Sequence, residues 1–289
     1  MIKGILRTMR PRQWTKNVFF FAALAFDAKL FELSYLLPCL AGFALLCLTS
    51  GTVYLINDVL DLENDRQHPV KRNRPLPSGQ LHPRTAIAAA TVLTLVTQPL
   101  GYCLDVKFGL VLTAYLLLHL AYSFLLKHMV LIDVLAIAAG FVLRVGAGVA
   151  LVNVQRFSPW LYVCMTLLAL FLGFGKRRHE LVLLRENANN HRAILDEYSL
   201  PLLDQIITIV VAATIIAYAL YTFSAEGLPD NHLMMLTVPF VLYALFRYLY
   251  LIQVRGEGGA PEDILLGDQP FIANGLLWVS SVVVILYVL

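Results

Sequence analysis

The chain has 289 residues, of which 59% are apolar and only 14% are charged, and its formal net charge is +3. An ordinary soluble domain carries about 25% charged residues, so this composition excludes a soluble globular protein and a disordered chain. Apolar runs of about 20 residues, the length at which a helix crosses a bilayer, recur along the whole sequence. We therefore predict an all-α, polytopic membrane protein, and we expect residues 1–289 to form a single transmembrane domain.

Nine apolar segments are predicted to cross the membrane, and proline or glycine marks most of their ends. The first segment is the shortest. In chain order the segments are 17–30, 35–58, 86–104, 108–126, 131–151, 160–174, 205–223, 233–251 and 271–289.

Lysine and arginine are distributed unequally between the two sides of this arrangement. Eighteen of the 22 lie on the side of the N-terminus, in loops or near segment ends, three lie on the opposite side, and Arg144 lies well inside a segment. Because cytoplasmic loops retain positive charge, this distribution places the N-terminus and the long polar loops in the cytoplasm. Every cluster of ionisable residues lies on that side. The sequence thus predicts a multi-pass protein of the cell (inner or plasma) membrane whose active site faces the cytoplasm.

An acidic motif, NDVLDLEND, follows the second segment at residues 57–65. At about 100° per residue, Asn57, Asp61 and Asp65 share one helical stripe, and Asp58 lies close beside Asp65. Carboxylate and amide oxygens are ligands for a hard cation, and Mg²⁺ is bound by few carboxylates together with waters and substrate phosphates. We therefore predict a Mg²⁺ site formed by Asn57, Asp61 and Asp65. The alternative is a solvated helix end.

A basic segment follows the acidic motif within ten residues and contains Lys71, Arg72 and Arg74. A topology determinant is the simplest explanation of such a segment, because cytoplasmic loops need positive charge. Its position beside the carboxylates favours a second explanation. Bases next to a metal site can bind the polyphosphate oxygens that the metal leaves free.

Five segments of the sequence together resemble a known family: RPRQWTKN (10–17), NDVLDLENDRQHPVKRNRP (57–75), LKHMVLIDVLAIAAGFVLR (126–144), GKRRHEL (175–181) and PEDILLGD (261–268). The NDxxDxxxD motif after the second of nine helices resembles the UbiA superfamily of intramembrane prenyltransferases. The finer pattern is similar to its decaprenyl-phosphate phosphoribosyltransferase branch. The resemblance implies a nine-helix bundle with a cytoplasm-facing central cavity, phosphoribosyl diphosphate as donor, a polyprenyl phosphate as acceptor, and a role in arabinan cell-wall precursor synthesis.

A second polar site is predicted around the loop between the fourth and fifth segments, with Tyr122, Lys127 and Asp133. Superfamily members commonly carry a second DxxxD here, but in this chain Ile137 stands four residues after Asp133. The missing carboxylate argues against a symmetric prenyl-diphosphate site, and Lys127 is the compensating cation. Arg144 lies on the same helical face as Asp133. It is expected to face a polar cavity, with a structural ion pair as the alternative.

The preferred function is Mg²⁺-dependent transfer of 5-phosphoribose from phosphoribosyl diphosphate to a polyprenyl phosphate in membrane lipid, with release of diphosphate. We expect no nucleic-acid partner, and the oligomeric state is left open. The alternatives are a UbiA-type prenyltransferase that acts on an aromatic acceptor, and a transporter of phosphorylated metabolites. The candidate catalytic residues are Asp58, Asp61, Asp65 and Asp133. The candidate substrate-binding residues are Lys16, Asn57, Lys71, Arg72, Arg74, Tyr122, Lys127, Arg144, Lys176 and Arg177.

Overall fold

The computed structural model describes residues 2–27, 29–67, 70–152, 158–186, 193–225, 228–229, 231–256, 264 and 267–288. Helices and short connections account for all of these residues, and no strand occurs among them. The α-helices are α1 (Ile2–Thr8), α2 (Ala22–Phe26), α3 (Leu33–Leu60), α4 (Leu62–Gln67), α5 (Pro83–Leu104), α6 (Val106–Phe124), α7 (Ile132–Val152), α8 (Pro159–Glu186), α9 (Leu200–Ser224), α10 (Val238–Gln253) and α11 (Gln269–Tyr287). Short 3₁₀ helices cover Pro11–Phe21, Lys71–Asn73, Leu126–His128, Ala193–Glu197 and Leu233–Thr237.

Eight helices in the described part of the chain are long and apolar enough to cross a membrane. They correspond to the second to ninth predicted segments, and most of their ends lie within a few residues of the predicted ones. One end differs, because α8 continues to Glu186 whereas the sixth segment was predicted to end at residue 174. Residues 175–186 are polar but contain no proline and many strong helix formers, so the helix continues beyond the apolar run. The chain is a multi-pass membrane protein.

The first predicted segment, 17–30, has a different form from the others. The 3₁₀ helix Pro11–Phe21 covers its beginning, followed by the five-residue helix α2. Arg10 meets Asp58, Asn17 meets Ser50, and Phe20 meets Phe43, so this stretch is antiparallel to α3. A 3₁₀ helix rises about 2.0 Å per residue, so its eleven residues extend about 22 Å. This extended geometry explains how so short a segment accompanies a transmembrane helix.

Several helices begin at a polar side chain that caps the first turn. Asp105 caps α6, Ser199 caps α9 and Asp268 caps α11, and each accepts a hydrogen bond from the backbone N–H three residues later. Such caps satisfy backbone donors that have no partner within the helix. Capping by these residues fixes where the helices begin.

The residues divide into two compact units, each with its own apolar core. The first unit contains Met1–Lys127 and Leu143–Val154, and the second contains His128–Val142 and Gln155–Leu289, so α7 contributes to both. The single domain over residues 1–289 stays a prediction. The core of the first unit includes Met9, Leu55, Leu76 and Leu81. The core of the second unit includes Phe171, Leu203, Tyr248 and Leu251.

Within the first unit, α7 lies against the 3₁₀ helix Pro11–Phe21 at Gly148. A Cβ atom at Gly148 would lie 1.9 Å from the carbonyl oxygen of Phe20, so only glycine permits this approach. At Gly146, one half-turn earlier, a Cβ atom would meet nothing within 4 Å. Close backbone packing therefore depends on Gly148 and not on Gly146.

Candidate active site

The acidic motif lies where α3 ends and α4 begins. α3 ends at Leu60 and Asp61 is its C-cap residue, but the backbone N–H of Asp65 still bonds to the carbonyl of Asp61 at 2.8 Å. Helical spacing is therefore kept across the junction. The four motif side chains form two neighbouring pairs, Asn57 with Asp61 and Asp58 with Asp65.

In the first pair, the side-chain amide of Asn57 donates to Oδ2 of Asp61 at 3.0 Å. The Nζ atom of Lys127 lies 2.6 Å from Oδ1 of the same carboxylate. Lys127 is buried, and a buried ammonium group needs an oppositely charged partner to offset its desolvation. The structure thus brings together three of the predicted site residues, Asn57 and Asp61 from the end of α3 and Lys127 from the 3₁₀ helix Leu126–His128.

In the second pair, Asp58 and Asp65 are both buried, with 1% and 3% of their surface exposed. Arg74 joins them, because its Nη1 atom lies 2.6 Å from Oδ2 of Asp65 and 3.5 Å from Oδ1 of Asp58. Arg10 also pairs with Oδ1 of Asp58, and Nζ of Lys71 lies 3.8 Å from Asp65. Lys71 and Arg74, from the basic segment for which polyphosphate binding was predicted, therefore contact the acidic motif directly.

One oxygen of this cluster has no hydrogen-bond partner. Oδ2 of Asp58 is buried, and the described part of the chain supplies it with no donor. A buried carboxylate oxygen without a donor is costly and calls for a ligand or ordered water. The donor set, three carboxylates and one amide, consists of hard oxygen atoms that suit Mg²⁺. Among the described residues, no three acidic, His or Cys side chains are placed so that they could hold one metal ion. Asp58, Asp61 and Asp65 are each paired with a base instead.

An open pocket of about 500 Å³ lies beside Asp58 within the first unit. Its lining contains four basic side chains, and we call it the basic pocket. The lining residues are Arg7, Thr8, Arg10, Gln13, Asp58, Val70, Lys71, Asn73, Arg74 and Pro75. The concentration of guanidinium and ammonium groups in one concavity favours a ligand with several anionic oxygens.

Sequence reasoning did not identify Arg7 and Arg10 as site residues. Both precede the acidic motif by about 50 residues, and no periodic pattern connects them with it. Arg10 stands in the segment 10–17 that carried the family resemblance, which was the one available signal. Only Lys71 and Arg74 of the ten predicted substrate-binding residues line the pocket, and the other eight are absent from the lining. Of these eight, Lys16 and Tyr122 are partly buried and Arg72 and Lys176 are exposed. The remaining four contact other polar side chains: Asn57, Lys127, Arg144 and Arg177.

Asp133 and Arg177, both predicted site residues, form a buried ion pair in the second unit. Asp133 is completely buried, and Nε of Arg177 lies 2.7 Å from its Oδ2. The hydroxyl of Tyr198 donates to Oδ1 of Asp133 at 3.0 Å and accepts from the backbone N–H of Leu131 at 2.8 Å. Burial raises the pKa of Tyr198 to about 12, so the hydroxyl stays protonated as a donor. These contacts favour a structural role for the pair.

Arg144 lies inside the first unit and is 6% exposed. Its Nε donates to Oδ1 of Asn17 at 2.8 Å, and its Nη2 donates to the hydroxyl of Tyr115 at 2.7 Å. These contacts connect α7 with the 3₁₀ helix Pro11–Phe21 and with α6. Both of these groups are uncharged polar side chains, and neither Arg144 nor Asn17 nor Tyr115 lines the basic pocket.

Comparison with known proteins places this arrangement in a family context. Residues 17–260 match the model of the UbiA prenyltransferase family. The decaprenyl-phosphate phosphoribosyltransferase of Mycobacterium tuberculosis (strain ATCC 25618 / H37Rv) is 31% identical over 286 residues, which are 98% of this chain and 94% of that protein. The protein of the same name from Corynebacterium glutamicum is 32% identical over 99% of this chain and 87% of its own.

A solved structure has the same fold. The UbiA homolog from Archaeoglobus fulgidus bound to GPP and Mg²⁺ superposes with a TM-score of 0.73 over 99% of this chain and all of that chain, at 19% sequence identity. Similarity at this level of identity establishes the fold alone.

Proposed function

The chain belongs to the UbiA prenyltransferase family, and on this basis we propose that it transfers 5-phosphoribose from phosphoribosyl diphosphate to a polyprenyl phosphate, releasing diphosphate. Membership of the family supports a membrane-embedded enzyme. The choice of substrates is supported by similarity, over nearly the whole chain, to relatives named decaprenyl-phosphate phosphoribosyltransferase. The excess of bases in the N-terminal region and in the loop at 66–84 supports a site that opens to the cytoplasm.

The basic pocket is the observation that carries the proposal. Phosphoribosyl diphosphate has a diphosphate on one side of the ribose and a separate phosphate on the other, so its charges are spread over several ångströms. Arg7, Arg10, Lys71 and Arg74 surround one pocket, and arginine binds phosphate through paired N–H donors. Four bases distributed around one pocket can pair with two separate anionic groups of one donor, whereas a single diphosphate would occupy only part of them.

The acidic motif would hold Mg²⁺ through the ligands that the sequence predicts, Asn57, Asp61 and Asp65, and Asp58 beside them would add a further carboxylate. The orphaned Oδ2 atom of Asp58 is available for such an ion, and the donor set fits its preference for oxygen ligands. When bound, Mg²⁺ would neutralise negative charge on the diphosphate leaving group.

In the reaction, the bond between the anomeric carbon and the diphosphate oxygen breaks, and diphosphate leaves with the electron pair. An oxygen of the lipid phosphate forms the new bond to the same carbon. Because the nucleophile is already an anion, the site needs cations rather than a strong general base. Arg10, Arg74 and Lys71 bind the donor, and Lys127, beside Asp61, reduces repulsion between the two anionic substrates.

Prenyl transfer to an aromatic acceptor is the second candidate. It is favoured by the fold, which is shared with a UbiA homolog bound to GPP and Mg²⁺. Two features argue against it. Ile137 stands where a second DxxxD would place a carboxylate, and Asp133 is held by Arg177.

The proposal is tested by turnover with purified protein in detergent. Radiolabelled phosphoribosyl diphosphate and a polyprenyl phosphate are incubated with Mg²⁺ or with EDTA. We expect a lipid product heavier than the acceptor by one phosphoribosyl group, formed in equal amount to diphosphate, and only with Mg²⁺. Absence of this product from folded protein would refute the proposal.

A further inference from the structure

Arg10 has an unusual backbone conformation next to the acidic motif. Its φ is 52° and its ψ is 65°, in the left-handed region, and Pro11 follows it. Residues with side chains rarely adopt this conformation, and a following proline disfavours helical backbone further. Strain of this kind persists where surrounding contacts enforce it, and it is common at functional sites. The side-chain contacts of Arg10 identify the residues that enforce this backbone conformation.

Two residues of α3 hold the guanidinium of Arg10. It pairs with Oδ1 of Asp58, and it lies over the ring of Tyr54 at 4.8 Å from the ring centre. The side chain of Asp58 is 1% exposed whereas that of Arg10 is 27% exposed. Arg10 therefore contacts a buried carboxylate on one side and lines the basic pocket on the other.

At this position, Arg10 competes with a metal ion for Asp58, and it is placed to pair with a phosphate in the basic pocket. A divalent cation at Asp58 repels the Arg10 guanidinium and replaces it as the counter-ion of the carboxylate. The released guanidinium then faces the basic pocket, which contains three further bases. Only an anion bound in that pocket can replace Asp58 as its partner. The same argument applies less strongly to Arg74, which Asp65 also holds.

We propose that Arg10 couples metal binding to donor binding, by pairing with Asp58 when no metal is bound and with a phosphate of the donor when Asp58 binds the metal. This inference rests on the proposed function. It makes Arg10 a donor-binding residue, and it means that metal and donor each bind weakly alone and more tightly together. Thermodynamic linkage requires the effect to be reciprocal, and couplings of this type amount to roughly 5- to 150-fold in affinity.

The test uses two binding measurements on the full chain in detergent. Binding of Mn²⁺ alone is measured by electron paramagnetic resonance, and binding of radiolabelled phosphoribosyl diphosphate at saturating Mg²⁺ is measured by equilibrium dialysis. For Arg10→Gln we expect opposite shifts of about tenfold each: tighter Mn²⁺ binding and weaker donor binding. Arg12→Gln is the matched control, because Arg12 is exposed and absent from the pocket lining, and it should change neither.

Arg10→Lys retains the charge and covers the case in which the glutamine variant fails to fold. Lysine should keep Mn²⁺ binding near wild type and weaken donor binding, because it lacks the planar pair of donors. If Arg10→Gln weakened both ligands or left both unchanged, the coupling would be refuted. Wild-type turnover remains a separate result, so failure of the coupling leaves the proposed function intact, whereas absence of turnover removes both.

Discussion

Among single residues, the carboxylates of the acidic motif differ in what they contact. Asp61 and Asp65 meet Lys127 and Arg74, whereas Glu63 lies between them in sequence and pairs with Arg66 on the surface, with 76% of its side chain exposed. The proposed site therefore includes Asp61 and Asp65 but excludes Glu63, although all three are acidic residues of one short segment.

We predict that Asp61→Asn and Asp65→Asn each lower kcat by roughly 100-fold or more, because each removes a ligand and a charge that acts on the leaving group. Both proteins should still elute as wild type from size-exclusion chromatography. Lys71 and Arg74, which Asp65 leaves behind, line an open pocket, and an asparagine at position 61 keeps a side-chain oxygen that can accept a hydrogen bond from Lys127. Glu63→Gln, the control, should keep near-wild-type turnover. Full activity of either aspartate variant would remove the metal site from this motif.

The buried pair of Asp133 and Arg177 leads to a different prediction. Loss of one partner from a buried ion pair costs up to about 3–5 kcal/mol. Arg177 also pairs with the partly exposed Glu180, which offsets part of this cost, so Asp133→Asn should unfold at a lower temperature in detergent but should still fold. Arg178→Gln is the control, because its partner Asp204 has a 40% exposed side chain. A variant Asp133→Asn with unchanged stability and no turnover would instead support the catalytic role that the sequence predicted.

The sequence was informative about neighbours along a helix and uninformative about partners from other helices. Spacing in the motif predicted that Asp58 lies beside Asp65, and Arg74 bridges the two. Spacing gave no indication that Arg10 meets Asp58 or that Tyr198 meets Asp133. Those contacts depend on how helices pack, and packing is not encoded in a local period.

At the level of elements, the helix ends are set by caps and prolines, so most of them were predictable. Two features were not. The first is the 3₁₀ form of residues 11–21, which depends on contacts with α3. The second is the extension of α8 to Glu186, because hydropathy identifies the apolar part of a helix and not its polar end. Lys176, Arg177 and Arg178 consequently belong to a helix and not to a loop.

The approach of α7 to the first segment gives a prediction for two glycines. Gly148→Ala should destabilise the protein by roughly 1–3 kcal/mol, because the new methyl group would overlap the Phe20 carbonyl and force the helices apart. Gly146→Ala should be neutral or slightly stabilising, since alanine favours the helix and the site is open. Thermal unfolding in detergent compares the two. Equal stability of both variants would contradict the described packing.

For the whole molecule, the distribution of charge predicts the orientation in the membrane. In a Cys103→Ser background, which removes the one exposed cysteine in the described part of the chain, a cysteine at Ser78 should be protected from an impermeant thiol reagent in intact cells. A cysteine at Asn231 should be labelled. The reverse pattern would place the basic pocket on the outer side and exclude a cytoplasmic donor.

The choice of donor tests the central claim most directly. Purified protein with Mg²⁺ is given phosphoribosyl diphosphate and a prenyl diphosphate at equal concentration, together with a polyprenyl phosphate and an aromatic acid, and the products are separated by mass. We predict that the polyprenyl phosphate gains a phosphoribosyl group and that the prenyl diphosphate is unchanged. A prenylated aromatic acid, with phosphoribosyl diphosphate left intact, would contradict the account.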